Sequence, residues 1–149
     1  MKPLIILENI RSAYNVGNII RTADALWYDV LLSWFTPNPN KKAQVKKTSL
    51  WAEESVGLKS IWNTSEAIAW VKEQWYTLVA AECSDYSIEL NAYEGAKNPV
   101  AIVMGNENTW VLPETLLAAD AVLYIPMQGI KESLNVGQAA AIMMWELVS

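Results

Sequence analysis

Apolar and polar positions follow two alternating rhythms along this 149-residue chain. Pro3 to Leu7 (PLIIL) is a short continuous apolar run, the pattern of a strand covered on both faces. From Asn15 to Leu26 the apolar residues Val16, Ile19, Ile20 and Ala23 recur at helical spacing, with Asn15 expected as the N-cap. Tyr28 to Ser33 reads as a second strand, followed by the turn-rich loop TPNPNKK. Ser65 to Gln74 is predicted helical with Ser65 as its cap, and Tyr76 to Ala81, Val100 to Met104 and Ala121 to Ile125 are predicted strands. Ser133 to Val148 reads as a helix that is apolar almost all round. Strands alternating with helices predict an α/β fold with a mainly parallel sheet. No repeat, linker or low-complexity tract divides residues 1–149, so one domain is expected. Ligands of such sheets bind beyond the carboxyl ends of the strands, which is where GNEN and PMQGIKESLN fall.

Composition narrows the chemistry. A hydrophobic content of 52% with a net charge of −5 describes a globular chain rather than a disordered one. No run approaches the roughly 20 apolar residues of a membrane span. Charged residues interrupt the N-terminus too early for a signal peptide, so a cytoplasmic protein is expected. The single cysteine, Cys83, rules out an intrachain disulfide. The chain has no histidine, which removes His-based triads, His-ligated zinc and imidazole acid–base catalysis. No metal site is expected.

Three stretches carry a more specific signal. The first runs Asn9-Ile10-Arg11-Ser12 and then Asn15 to Ala25, the second is Ile102 to Glu107, and the third is Ile125 to Gly129 followed by Glu132 to Val136. In this order and spacing they resemble the SpoU, or TrmH, family of RNA ribose 2′-O-methyltransferases within the SPOUT superfamily. The resemblance implies a parallel sheet with helices on both faces and a deep trefoil knot in the C-terminal segment. It further implies S-adenosylmethionine as cofactor, tRNA or rRNA as substrate, and a homodimer whose active site draws on both chains. The family's additional N-terminal RNA-binding domain has no counterpart here, so the chain reads as a minimal catalytic domain.

The resemblance also assigns roles. Met104, Gly105, Asn106, Ile125, Met127, Gly129, Ser133 and Leu134 correspond to the cofactor pocket, the two glycines letting backbone approach the adenosine closely. Arg21 corresponds to the catalytic arginine, steadied by Asn15. A guanidinium rarely gives up its proton, so Arg21 is expected to grip a substrate phosphate and stabilise developing charge. Glu107, Ser133 and Asn135 complete the expected catalytic set, although a solvated carboxylate and a helix cap explain Glu107 and Ser133 equally simply. Arg11 and the cluster Lys41, Lys42, Lys46 and Lys47 are the expected RNA contacts of an otherwise acidic protein. In the last helix Val136, Ala140, Met143, Met144 and Leu147 form a stripe that suggests either a subunit interface or a central core helix. Methylation of a base nitrogen, or a non-catalytic protein that binds RNA or cofactor, are the readings that compete with ribose methylation.

One count is unusual. The chain has 8 Trp and only 6 Gly, where ordinary usage would give about 10 glycines. Trp27, Trp34, Trp51, Trp75 and Trp110 fall where turn chemistry and the resembling segments carry glycine, whereas Trp145 sits in a helix and Trp62 and Trp70 are ambiguous. The expectation is that these five codons are UGA, read as glycine by the source genome.

Overall fold

In the computed structural model, which describes residues 1–40, 42–106, 108, 110–131 and 133–148, the apolar runs pair into one sheet. Its strands are β1 (Leu4–Glu8), β2 (Asp29–Ser33), β3 (Leu58–Ser60), β4 (Thr77–Ala81), β5 (Ile88–Glu89), β6 (Val100–Met104) and β7 (Ala121–Tyr124). Their order is β3-β2-β1-β6-β4-β7-β5 and every pairing is parallel. The central strands β1 and β6 are buried along their whole length, as their unbroken apolar sequences require.

The helices are α1 (Ala13–Ala25), α2 (Ala43–Ser49), α3 (Thr64–Glu73), α4 (Pro113–Ala118) and α5 (Val136–Val148). One core cluster joins Ile5, Leu7 and Ile102 of the sheet to Val16, Ile19 and Ile20 of α1 and Ala140, Met143 and Met144 of α5. A second joins Ile6, Leu78 and Val103 to Ala67 and Val71 of α3 on the opposite face. Helices therefore cover both faces of the sheet. Gly17 permits the contact between α1 and α2, because a Cβ there would lie 1.9 Å from Thr48 Oγ1 and 2.3 Å from the Val45 carbonyl oxygen.

Several boundaries differ from the sequence reading. Helix α1 begins earlier because the Ser12 hydroxyl accepts the Asn15 N–H at 3.2 Å, so Ser12 is the cap and Asn15 lies in the first turn. Asn63, not Ser65, caps α3 through the Glu66 N–H. Helix α5 starts at Val136 rather than Ser133, and Asn135 caps it by accepting the Gly137 N–H at 2.8 Å. Lys46 and Lys47 sit on α2, a helix the sequence pattern did not announce. The stripe on α5 is also reassigned. Ala140 and Met143 are 0% and 1% exposed within a single chain and belong to its core, while Ile142, Trp145 and Val148 face outward.

Candidate active site

Three parallel strands end side by side and open a cavity. The ends of β4, β6 and β7 contribute Ala81, Met104 and Leu123, and the segments that follow them contribute Glu82, Gly105, Asn106, Ile125 and Met127. Ser133 and Leu134 from the approach to α5, with Val136, Ala139 and Met143 of the helix itself, close the far side. The cavity holds about 190 Å³. Seven of the eight residues expected to hold the cofactor therefore line one cavity. Gly129 does not line it, and a Cβ at that position would meet open space.

The rim is organised by hydrogen bonds. Asn106 donates through Nδ2 to the Asn9 carbonyl at 2.9 Å and accepts the Asn108 N–H at 2.7 Å. Its backbone bridges Trp110, which brings the chain back beside Asn106. A Cβ on Gly105 would come within 2.4 Å of the Val111 nitrogen, so glycine is required by the loop's own return rather than by approach of a ligand. Glu82 holds that return in place by accepting the Val111 N–H at 3.1 Å. Glu82 is the carboxylate that the sequence reading missed, and its position directly after a parallel strand was the available signal.

Glu8, at the end of β1, is 2% exposed and accepts the Leu112 N–H at 2.9 Å and the Thr115 hydroxyl at 2.5 Å. Burial raises its carboxyl above the usual range despite these bonds. Glu8 thus anchors the segment that follows Trp110 to the sheet.

Among the described residues, the remaining expected ones do not line the cavity. Asn135 Nδ2 donates to Asn15 Oδ1 at 3.3 Å, tying the start of α5 to α1. Asn15 therefore pairs with Asn135, not with Arg21. Arg21 is exposed and lines a separate groove of about 550 Å³ between α1 and α5, facing Ala141, Ile142, Trp145 and Glu146. Arg11 bonds Asn9 Oδ1 at 3.1 Å and lies 5.3 Å over the Phe35 ring. Lys42 and Lys47 are exposed, and Lys46 lies over the Trp51 ring. Glu107 and Lys41 lie outside the described residues. Among the described residues, no three His, Cys, Asp or Glu side chains gather to hold a metal ion, and no helix is long and apolar enough to cross a membrane.

A cavity over the carboxyl ends of central parallel strands, apolar inside and rimmed by loop backbone, defines an α/β protein with a site shaped for a small ligand at the strand ends. The chain belongs to the SpoU rRNA Methylase family, which it matches over residues 2–145. It is 31% identical over 144 residues to the tRNA (guanosine(18)-2′-O)-methyltransferase of Escherichia coli (strain K12), covering 95% of this chain and 61% of that protein. It is also 31% identical over 143 residues to the enzyme of the same name from Thermus thermophilus, covering 95% of this chain and 72% of that protein. The AdoMet-bound rRNA methyltransferase from Sinorhizobium meliloti superposes with a TM-score of 0.89 at 28% identity, covering 98% of this chain and 55% of that one. The chain thus spans less than two thirds of the Escherichia coli relative it matches.

Proposed function

We propose that this domain transfers a methyl group from S-adenosylmethionine to a ribose 2′-hydroxyl of tRNA or rRNA. The observation that carries the reading is the cavity. Its lining includes residues of the second and third of the segments on which the family resemblance rests, and its chemistry suits an adenosine group. Met104, Ile125, Met127 and Leu134 offer apolar contact to a flat base, and the backbone of Gly105, Asn106 and Met127 offers donors and acceptors at the rim.

When bound, S-adenosylmethionine supplies a methyl group activated by its sulfonium. The chain's own residues position the RNA and deal with charge. Arg21 presents a planar fork to a phosphate next to the reacting ribose and stabilises the oxygen as its proton leaves. Asn15 and Asn135, bonded to each other, hold α1 against the start of α5 and so fix the groove in which Arg21 lies. Ser133, exposed at the cavity edge, and Glu107 are the polar groups proposed to face the ribose. Arg11, Lys41, Lys42, Lys46 and Lys47 take phosphates further along the RNA.

The working form in this reading is a homodimer in the cytoplasm. The groove between α1 and α5 is bordered by exposed Ile142 and Trp145, and a second copy would cover this apolar surface. Arg21 lies in that groove, outside its own chain's cavity, so it acts at the partner's. The deep trefoil knot of the family is proposed for the C-terminal segment. Its support is the return of α5 deep into the chain, where buried Tyr28 donates its hydroxyl to the Met144 carbonyl at 3.0 Å.

The test is transfer of labelled methyl from S-adenosylmethionine to mixed tRNA and rRNA, followed by digestion and nucleoside mass analysis. Label in 2′-O-methylnucleosides supports the proposal. Label in a base assigns the chain to base-nitrogen methylation, and cofactor that stays unbound assigns it to the non-catalytic reading.

A further inference from the structure

Eight residues other than glycine have positive φ among the described residues, and five of them are tryptophans. They are Trp27 (φ 65°), Trp34 (38°), Trp51 (72°), Trp75 (64°) and Trp110 (60°). Of the six glycines only Gly95 has a positive φ. Positive φ occurs in a few per cent of non-glycine residues and is an outlier for bulky ones, so 8 tryptophans should supply fewer than about one. In this chain tryptophan stands where glycine ordinarily stands.

The hydrogen bonds at two of the sites say why. After α1 the Tyr28 N–H returns to the Ala23 carbonyl at 2.9 Å and the Trp27 N–H to the Asp24 carbonyl at 3.3 Å. After α3 the Tyr76 N–H returns to the Val71 carbonyl at 3.3 Å and the Trp75 N–H to the Lys72 carbonyl at 3.1 Å. Both are Schellman endings, with buried Tyr28 and Tyr76 packed as the following apolar residue, and both require a left-handed residue that is usually glycine. Trp51 extends the left-handed turn that ends α2, and Trp34 turns the chain out of β2. Trp110 donates its N–H to the Asn106 carbonyl at 2.6 Å and borders the cavity.

We infer that positions 27, 34, 51, 75 and 110 are glycine positions, occupied by glycine in the protein the source cell makes because UGA is read there as glycine. The consequence for the site lies at position 110. An indole at the mouth leaves a cavity of about 190 Å³, below the roughly 300–1,000 Å³ of ordinary small-molecule clefts. Glycine at this position widens the mouth without altering the backbone of residue 110, whose φ of 60° already suits glycine. This second half rests on the proposed cofactor function; the first half does not.

The experiment has a genetic and a physical arm. UGA codons at all five positions are expected, and UGG codons there overturn the inference. The full chain with all five tryptophans replaced by glycine should melt several degrees above the present one, against the usual effect of added glycine; a lower melting temperature overturns the inference. Titration with S-adenosylmethionine then separates the halves. Trp110→Gly should bind it at least about tenfold more tightly. A stabilised five-site variant that binds no S-adenosylmethionine overturns the cofactor reading of the cavity while supporting the glycine assignment.

Discussion

Comparing alanine with glycine at the same site isolates the backbone preference of each tryptophan position. Both replacements at Trp27 lose the same side-chain contact, with Lys2 Nζ 5.3 Å from the ring centre. At Trp75 both remove a side chain that is 76% exposed. What differs is the left-handed backbone. It costs an L-residue about 1–2 kcal/mol and glycine little, while glycine loses about 0.4–1 kcal/mol more through unfolded-chain entropy. Glycine should therefore exceed alanine by ~1 kcal/mol at each site. Trp70 provides the control, since it lies inside α3, where glycine is worse than alanine by about 1 kcal/mol. The sign thus reverses within one helix and its end, a contrast of ~2 kcal/mol. For a chain of this size 1 kcal/mol shifts Tm by roughly 2–4 °C, so urea and thermal unfolding of the six single variants resolve it. If glycine falls below alanine at 27 and 75 by the same margin as at 70, the left-handed strain is absent and these are not glycine positions.

Arg21→Ala should abolish methyl transfer with cofactor affinity and Tm unchanged, and Arg21→Lys should restore little because a point charge does not replace the fork; wild-type turnover of Arg21→Ala removes this residue from the mechanism. Neutralising Lys41, Lys42, Lys46 and Lys47 together should weaken RNA binding and flatten its dependence on salt concentration, and an unaltered slope returns the cluster to ordinary surface. Ile142→Glu or Trp145→Glu should yield a folded monomer by light scattering, because the replacement removes apolar surface that the second copy would cover; a variant that stays dimeric moves the interface elsewhere. The buried Glu8 carboxyl is held above its ordinary range, so its contribution to stability is full below the unfolded-state value and is lost as pH rises through the folded-state one. Glu8→Gln should accordingly flatten the decline in unfolding free energy between mildly acidic and neutral pH, and an unchanged slope assigns that decline to other groups.

The parts of the fold that were legible from sequence are those where burial imposes a pattern. Unbroken apolar runs gave β1, β2, β4, β6 and β7, and helical spacing gave α1, α3 and α5. Strands β3 and β5, at the sheet edges, and helices α2 and α4, with six or seven residues, are too short to show a period. Caps misled where several polar residues cluster, because Ser12 and Asn15, or Ser133 and Asn135, suit the role equally until backbone geometry chooses. The wall of the cavity was legible because its residues follow strand ends and match motifs. Glu82 was not read as part of it, since its place depends on the chain returning at Val111 to bond its carboxylate. Arg21 was expected beside Asn15 because the two share a motif, yet six positions along a helix turn its side chain to another face.

A ribose carrying a 2′-O-methyl group cannot attack its own phosphodiester, so alkali leaves the bond after it intact. The central claim is therefore tested most directly by incubating the protein, with glycine at the five tryptophan positions, with methyl-labelled S-adenosylmethionine and tRNA or rRNA, then hydrolysing the product in alkali. Label is expected in alkali-resistant dinucleotides, and it should be lost when Arg21 is replaced by alanine. Label released wholly as mononucleotides, or no transfer by a folded protein that binds both RNA and S-adenosylmethionine, would contradict the claim.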